Sequence, residues 1–249
     1  MLVGVALATL GVLGSEGGPA SPEADRDARI AAIARVPLGE STQGQPIRAR
    51  ILRGSIGGPV VLAVGAIHGD EPASSAVVRG VKRPPPRGGL VAVPSLNPDG
   101  LARDTRTNAR GVDLNRNFAS DWDPSSVLGD PEHSGPRPFS EVESRLARSL
   151  VRRLRPDITV WFHQQHEPPL VRAWGRSVEA ARTYARLAGT PFEQLPWRPG
   201  SAPNWQNHRF RNGSAFVVEL PWGEVPNREL RRHARALHKL TQAANGGGA

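Results

Sequence analysis

The sequence predicts an α/β protein, a single domain with a central mixed, largely parallel twisted sheet flanked by helices, and three observations carry that prediction. Three apolar runs, residues 59–67, 158–162 and 214–218, read as the unbroken hydrophobic stretches of strands buried on both faces. The first is followed by a helical pattern at residues 73–82 and another apolar run at 89–96, the strand–helix–strand order of a βαβ unit. Each of the three runs ends in an ionisable side chain, His68, His163 and Glu219, and ligands gather beyond the carboxyl ends of parallel strands. Residues spread from 65 to 220 must meet there, so one domain is expected rather than two, and 249 residues bury enough core to support it.

Taken in order, residues 1–28 read as a leader: 2–13 are apolar and 14–27 are rich in Gly, Pro, Ser and Glu. The pair resembles the hydrophobic segment and tail of a secretory signal, too short for a membrane-spanning helix and without the usual preceding basic residues. Export is therefore the expectation, with no stable membrane insertion; a cytoplasmic protein with an unstructured leader is the alternative. The folded domain is expected over residues 29–244, with 245–249 a Gly-rich tail. Within it, Ile30 and Ile33 have helical spacing in 26–35, residues 38–45 are turn-like, and 46–53 alternate apolar and basic residues as an edge strand does. Pro84-Pro85-Pro86 ends the helix expected at 73–82, because proline lacks the N–H and clashes with the preceding turn.

Asn97-Pro98-Asp99-Gly100 is strong turn chemistry. From there to about residue 138 periodicity is weak, and a loop of that length inside a compact domain is usually functional. Residues 140–153 form an amphipathic helix with Ser140 as N-cap and Glu143 three positions on, the pattern of a capping box. Further helices are expected at 178–188 and at 227–243, the latter capped by Asn227.

Composition excludes several classes. Formal charge is +9, and of 32 basic residues only Lys82 and Lys239 are lysines. The arginines are scattered through every segment rather than clustered with aromatics or in a recognition motif, so nucleic acid is not an expected partner. With no Cys there are no disulfides and no thiolate ligands, and any metal must be held by His and carboxylate.

His68-Gly69-Asp70-Glu71 offers two such groups. Alone it fits equally a helix start in which an acidic residue sits in the first turn and His68 is a polar loop residue. Its company decides: His163 ends a second strand, and two His with one Glu form a catalytic zinc set that leaves the fourth position open to water. Glu219, ending a third strand, is then available to accept a proton. His166 rivals His163 but lies in a polar stretch before Pro168-Pro169, and His133 and His208 lack a comparable frame. In the long loop, Gly111-Val-Asp-Leu-Asn-Arg-Asn-Phe118 and Arg106 fit ordinary loop hydrogen bonding. A forked guanidinium beside an amide also suits a carboxylate.

His-x-x-Glu, Asn-Pro-Asp-Gly, Gly-Val-Asp-Leu-Asn-Arg-Asn-Phe, a strand ending in His and a strand ending in Glu-Leu-Pro, in this order from about residue 39 to 221, resemble the zinc carboxypeptidase family, peptidase family M14. The resemblance implies a zinc carboxypeptidase-like fold, one Zn²⁺ per chain and hydrolysis of a peptide or cell-wall peptide. It gives His68, Glu71 and His163 as metal ligands and Glu219 as the general base. It gives Arg106 as the group that steadies the oxyanion, and Asn115 and Arg116 as the pair that holds the carboxylate beside the scissile bond. Asp113 is read as support for the loop or the ligands.

One departure bears on substrate. Digestive relatives carry a Tyr in a mobile loop shortly before the general base, whereas the single Tyr of this chain, Tyr184, lies in an expected helix. Pro199-Gly-Ser-Ala-Pro-Asn-Trp205 there looks more like the short bacterial branch that cuts γ-D-glutamyl–meso-diaminopimelate bonds in cell-wall peptides. The alternatives are a deacylase of small N-acyl amino acids, as in the aspartoacylase group, and a catalytically inactive relative that binds peptide or glycan.

Overall fold

The computed structural model describes residues 38–243 apart from 125, 165 and 166, together with residues 21, 24, 25, 27, 28, 30 and 31. Residues 1–20 of the expected leader, Ile33, the rival His166 and the tail at 245–249 lie outside the described residues. Among the described residues no helix is long and apolar enough to cross a membrane.

A short hairpin of β1 (Gly39–Glu40) and β2 (Pro46–Ile47) precedes a seven-stranded sheet. That sheet holds β3 (Arg50–Arg53), β4 (Ser55–Val64), β5 (Arg87–Val93), β6 (Ile158–His163), β7 (Leu170–Ala173), β8 (Phe192–Gln194) and β9 (Ser214–Glu219) in the order β3-β5-β4-β6-β9-β7-β8. β5, β4, β6 and β9 are mutually parallel, β3 is antiparallel on β5, and β7 is antiparallel on β9 while pairing in parallel with β8. The sheet is thus mixed with a parallel centre, as the three apolar runs require, and the alternating segment at its margin is the edge strand β3. The sequence expectation of one strand over 46–53 is corrected to two, β2 and β3, in different sheets.

Between and after the strands of the described residues from 38 onward lie six α-helices: α1 (Pro72–Gly80), α2 (Pro98–Arg103), α3 (Val142–Leu154), α4 (Val178–Ala188), α5 (Ala202–Arg209) and α6 (Asn227–Ala243). The pleat sends alternate strand residues to two cores. Val61, Ala63, Val160, Phe162, Phe216 and Val218 pack with α1, α4 and α6, whereas Leu62, Val64, Trp161, Ala215 and Val217 pack with α3, α5, Phe118 and Phe139. Ile30, in the helical described part of residues 24–31, closes the second core beside Gly89. That same second face carries His163 and Glu219, which follow Trp161 and Val217 by two residues.

The expected capping box at Ser140 and Glu143 is not formed. Glu141 is the N-cap residue of α3, and the Glu143 carboxylate instead accepts from Thr42 N at 2.9 Å and Asn108 Nδ2 at 3.1 Å. A buried carboxylate with two long-range donors is better used there than at its own helix start. The Asn97-Pro98-Asp99-Gly100 turn is the start of α2, with buried Asn97 Oδ1 accepting from Gly100 N at 2.9 Å.

Candidate metal centre and active site

β4 and β6 are paired in register, with Val64 opposite Trp161, so the chain leaving β4 turns over the end of β6. Ala66 makes that turn with φ +40°, an uncommon value for a residue with a Cβ, held by Ser74 Oγ on its N–H and by Leu96 N and Asn97 N on its carbonyl. Gly69 lets α2 approach: a Cβ there would lie 1.9 Å from the Gly100 carbonyl carbon. His68 and Glu71 are thereby fixed in the space beyond His163.

The three side chains converge. His68 Nδ1 is 2.8 Å from Glu71 Oε1, His163 Nδ1 is 3.1 Å from Glu71 Oε2, and the two imidazole centroids are 4.8 Å apart. One ligand atom from each lies within 4.8 Å of the others, and all three residues are buried. Glu71 is the N-cap residue of α1, yet its side chain makes no capping bond; it faces the imidazoles, which decides against the helix-start reading. Although the His163–Glu71 distance suits an ion pair, the alignment is not that of a hydrogen bond, and Glu71 Oε2 is left as a buried carboxylate oxygen without a donor. Such an oxygen costs stability unless a cation meets it.

Electrostatics point the same way. Burial opposes charge on His68, but Glu71 and Asp113 outweigh it and hold the imidazole up at about 9. Burial also pushes Glu71 up, and the two imidazoles overcome that and hold it near 2. Two carboxylates around a ring that must carry a proton is an arrangement a divalent cation replaces. Two imidazoles and a carboxylate, with no thiolate in reach, suit Zn²⁺, and the centre can hold one ion.

Asp113 supports this centre from below. It is wholly buried; Oδ1 is 3.0 Å from His68 Nε2 and accepts from Asn115 N at 2.8 Å, while Oδ2 accepts from Arg106 Nε at 3.1 Å and Nη2 at 2.7 Å. Those partners, His68 before the arginines, hold its carboxyl far below the ordinary range against the effect of burial. Carboxylate–imidazole contacts of this kind orient metal ligands. Arg106 Nη1 stands 3.3 Å from His68 Nδ1, so this guanidinium lies at the metal centre.

The 3₁₀ turn Leu114–Arg116 presents the other loop residues. Asn115 Nδ2 is 3.3 Å from His163 Nε2 and Oδ1 accepts from Ala202 N at 2.9 Å, tying the turn to the start of α5. Arg116 Nη1 donates to Asn115 O at 3.0 Å, and Nη2 is paired with Glu132. Gly200 closes on this turn, where a Cβ would lie 2.3 Å from Arg116 O. A cavity of about 310 Å³ is lined by His68, Glu71, His163, Arg106, Asn115, Arg116 and Glu219 together. All seven sequence-predicted site residues therefore share one space. His133 instead contacts Ser126 O, and His208 contacts Asn204 O, both away from it.

The same cavity is lined by Glu132, Arg172, Trp197 and Arg198, which sequence reasoning did not single out. For Arg172 a signal existed: in Leu170-Val-Arg-Ala173 a period of two places Arg172 opposite Val171 and Ala173.

Comparison with known proteins agrees with this geometry. A profile described as zinc carboxypeptidase, Peptidase_M14, matches residues 90–212. That span includes Arg106, Asn115, Arg116 and His163, whereas His68, Glu71 and Glu219 lie outside it and come to the site through the fold. Murein peptide amidase A of Escherichia coli strain K12 is 34% identical over 116 residues, 41% of this chain and 48% of that protein. The chain thus spans about half the length of the curated relative it matches. The crystal structure of murein-tripeptide amidase MpaA from Escherichia coli O157 superposes with a TM-score of 0.65 at 26% identity, covering 83% of this chain and 91% of that one. A succinylglutamate desuccinylase/aspartoacylase from Rhodobacter sphaeroides, at 20% identity, TM-score 0.60 and coverage of 84% and 63%, shares the fold.

Proposed function

This chain belongs to the M14 zinc carboxypeptidase-like family, and from that premise we propose that it hydrolyses an amide bond next to a free carboxylate. The observation that carries the reading is one cavity holding a metal triad, an uncommitted carboxylate and a guanidinium–amide pair. What zinc supplies there when bound is Lewis-acid polarisation of the carbonyl and of water.

The chain's residues do the rest. Glu219, at the end of β9 opposite His163, takes a proton from the attacking water and returns it to the leaving amine. Arg106, fixed by two bonds to Asp113, faces the charge that develops on the carbonyl oxygen. Arg116 and Asn115 hold the substrate carboxylate; the Glu132 carboxylate now on Arg116 makes the contact a substrate would take over. Within this class we favour the γ-D-glutamyl–meso-diaminopimelate bond of cell-wall peptides. Murein peptide amidase A and MpaA support that choice, as does the place of the only Tyr, buried on α4 and not in the segment before Glu219. The likeness to a desuccinylase/aspartoacylase supports a second reading, deacylation of an N-acyl amino acid.

Mass spectrometry of products from α-linked, γ-linked and N-acyl substrates tests this. Amidating the carboxylate beside the cut bond should cost about 2–5 kcal/mol in kcat/KM, the loss of one partner of a desolvated charge pair. Equal cleavage of acid and amide would end the carboxylate-clamp reading, and preference for N-acyl amino acids would select the deacylase.

A further inference from the structure

A second concavity lies at the far end of α1. The helix starts beside Glu71 at the metal centre and runs nine residues to Gly80, about 13 Å away. There a groove of about 520 Å³ opens between the end of α1 and α6, with buried Val81 and Ala234 at its base. Lys82 and Arg83 line one side and Arg231, Arg235 and Lys239 the other, all five exposed. These cations are scattered in sequence and gathered by the fold, and they include both lysines of the chain. No acidic side chain lines the groove, and among the described residues none of the five lies within ion-pair distance of one; Arg232, one residue round the helix, instead has Glu229 at 2.9 Å. Arg231, Arg235 and Lys239 recur every fourth residue, so like charges stack on one face of α6, an arrangement that opposes helix formation unless an anion meets it. The end of α1 would repel an anion through its free carbonyls, but Arg50 Nη2 donates to Val78 O at 3.1 Å and Arg79 O at 3.0 Å and also to Val81 O. His238 Nε2 donates to Pro84 O at 2.9 Å and holds the segment that carries Lys82 and Arg83 against α6, which fixes the two walls.

We propose that this groove docks a linear polymer of phosphates, a polyanion without bases. Cations on both walls of a concave channel flank a single strand and neutralise its phosphates in succession. The ammonium groups of Lys82 and Lys239 are compact point charges suited to phosphate, and the guanidinium groups beside them bind it through two donors. A flat lipid surface does not reach the base of a groove, and α6 carries no exposed large apolar side chain with which to enter a bilayer. No Trp, Tyr or Phe lines the groove, so nucleobases have no ring to stack on. With the metal centre at the other end of α1, a docked strand leaves the catalytic cavity open. The polymer is therefore a tether and not a substrate, and its binding is independent of the reaction proposed above.

The test is the fluorescence anisotropy of end-labelled linear inorganic polyphosphate titrated with the protein over a range of salt concentrations. Two double variants each remove one wall of charge, Arg235→Gln with Lys239→Gln and Lys82→Gln with Arg83→Gln; since either could perturb folding, their urea midpoints are compared with the wild type. A control, Arg152→Gln with Arg153→Gln, removes the same charge from the exposed end of α3 on the other face of the sheet. Each groove pair should weaken polyphosphate binding about tenfold and lower the slope of log K against log salt by about 1.4, whereas the control should change affinity less than twofold. Equal weakening by groove pairs and control overturns the proposal, because net charge alone would then account for binding. Wild-type affinity in both groove pairs overturns it too. Oligodeoxythymidylate and phosphatidylglycerol vesicles at equal phosphate concentration test the occupant: tighter binding to either than to polyphosphate, lost in the groove pairs, assigns the groove to nucleic acid or to a lipid surface and overturns the polymer without bases.

Discussion

Asp113→Asn is the sharpest perturbation of the centre, because the carboxylate uses both oxygens as acceptors. Oδ1 serves His68 Nε2 and Asn115 N, and Oδ2 serves Arg106 through two nitrogens. An amide has one acceptor face and one donor face, so either orientation turns an NH₂ towards a donor. Facing His68, it disturbs a ligand; facing Arg106, it strands a guanidinium only 28% exposed. Loss of a ligand's supporting contact typically weakens metal binding about 10- to 100-fold. Breaking a buried pair costs about 3–5 kcal/mol, and the partial exposure of Arg106 puts the lower end of that range on stability. Chelator competition reads the first quantity and urea unfolding of the zinc-free protein the second. An Asp113→Asn protein that binds zinc within about twofold of the wild type and unfolds at the same urea concentration refutes the support we assign to Asp113.

Three further outcomes are expected. His163→Ala should lose zinc and activity together while His166→Ala keeps both; the reverse result, read by metal analysis, would exchange the two ligands. Glu219→Gln should keep zinc and lose about 10²- to 10⁴-fold in turnover, since the amide matches the shape but accepts no proton; near-normal turnover at full zinc loading removes Glu219 from the chemistry. Burial, with Arg232 adding, depresses the His233 imidazole from 6.5 to about 4, while the unfolded chain binds its proton near 6.5. His233 therefore contributes stability that is full above pH 6.5 and is lost as pH falls towards 4, up to about 3 kcal/mol. Urea melts across that range should show the loss, and a stably folded His233→Gln protein with the same acid slope would contradict it.

What the sequence disclosed and what it hid divide along a physical line. The four parallel strands were legible because burial on both faces leaves an unbroken apolar run, and the metal ligands were legible because they end such runs. α5 was not, for a related reason. Ala202–Asn207 is buried throughout, so no polar stripe marks an outer face, and its polar residues are consumed by specific long-range bonds. Gln206 Nε2 donates to Thr159 Oγ1, Asn207 holds Ala215 through both its amide groups, and Asn204 Nδ2 donates to Asp121 Oδ2. A periodicity argument counts those residues as solvent-facing and sees a loop. The local mark was Pro203, in the first turn where its missing N–H is harmless.

β7 was hidden by brevity, and its direction matters more than its length. The chain leaves β6 at His163, at the carboxyl edge of the parallel strands, and a further parallel strand would have required a crossover to the far edge before re-entry. β7 instead enters the sheet antiparallel to β9 with Leu170 opposite Glu219. The first residues of β7 are therefore at the site by construction, and the position two after Leu170 must face the same way as Glu219 and Val217. Arg172 occupies that position. The period of two around residue 172 sets the guanidinium apart from Val171 and Ala173 but does not place it at the site, because that depends on a pairing with residues 217–219 that a one-dimensional reading does not contain; once β7 is known to run antiparallel, the place of the guanidinium follows from the pleat.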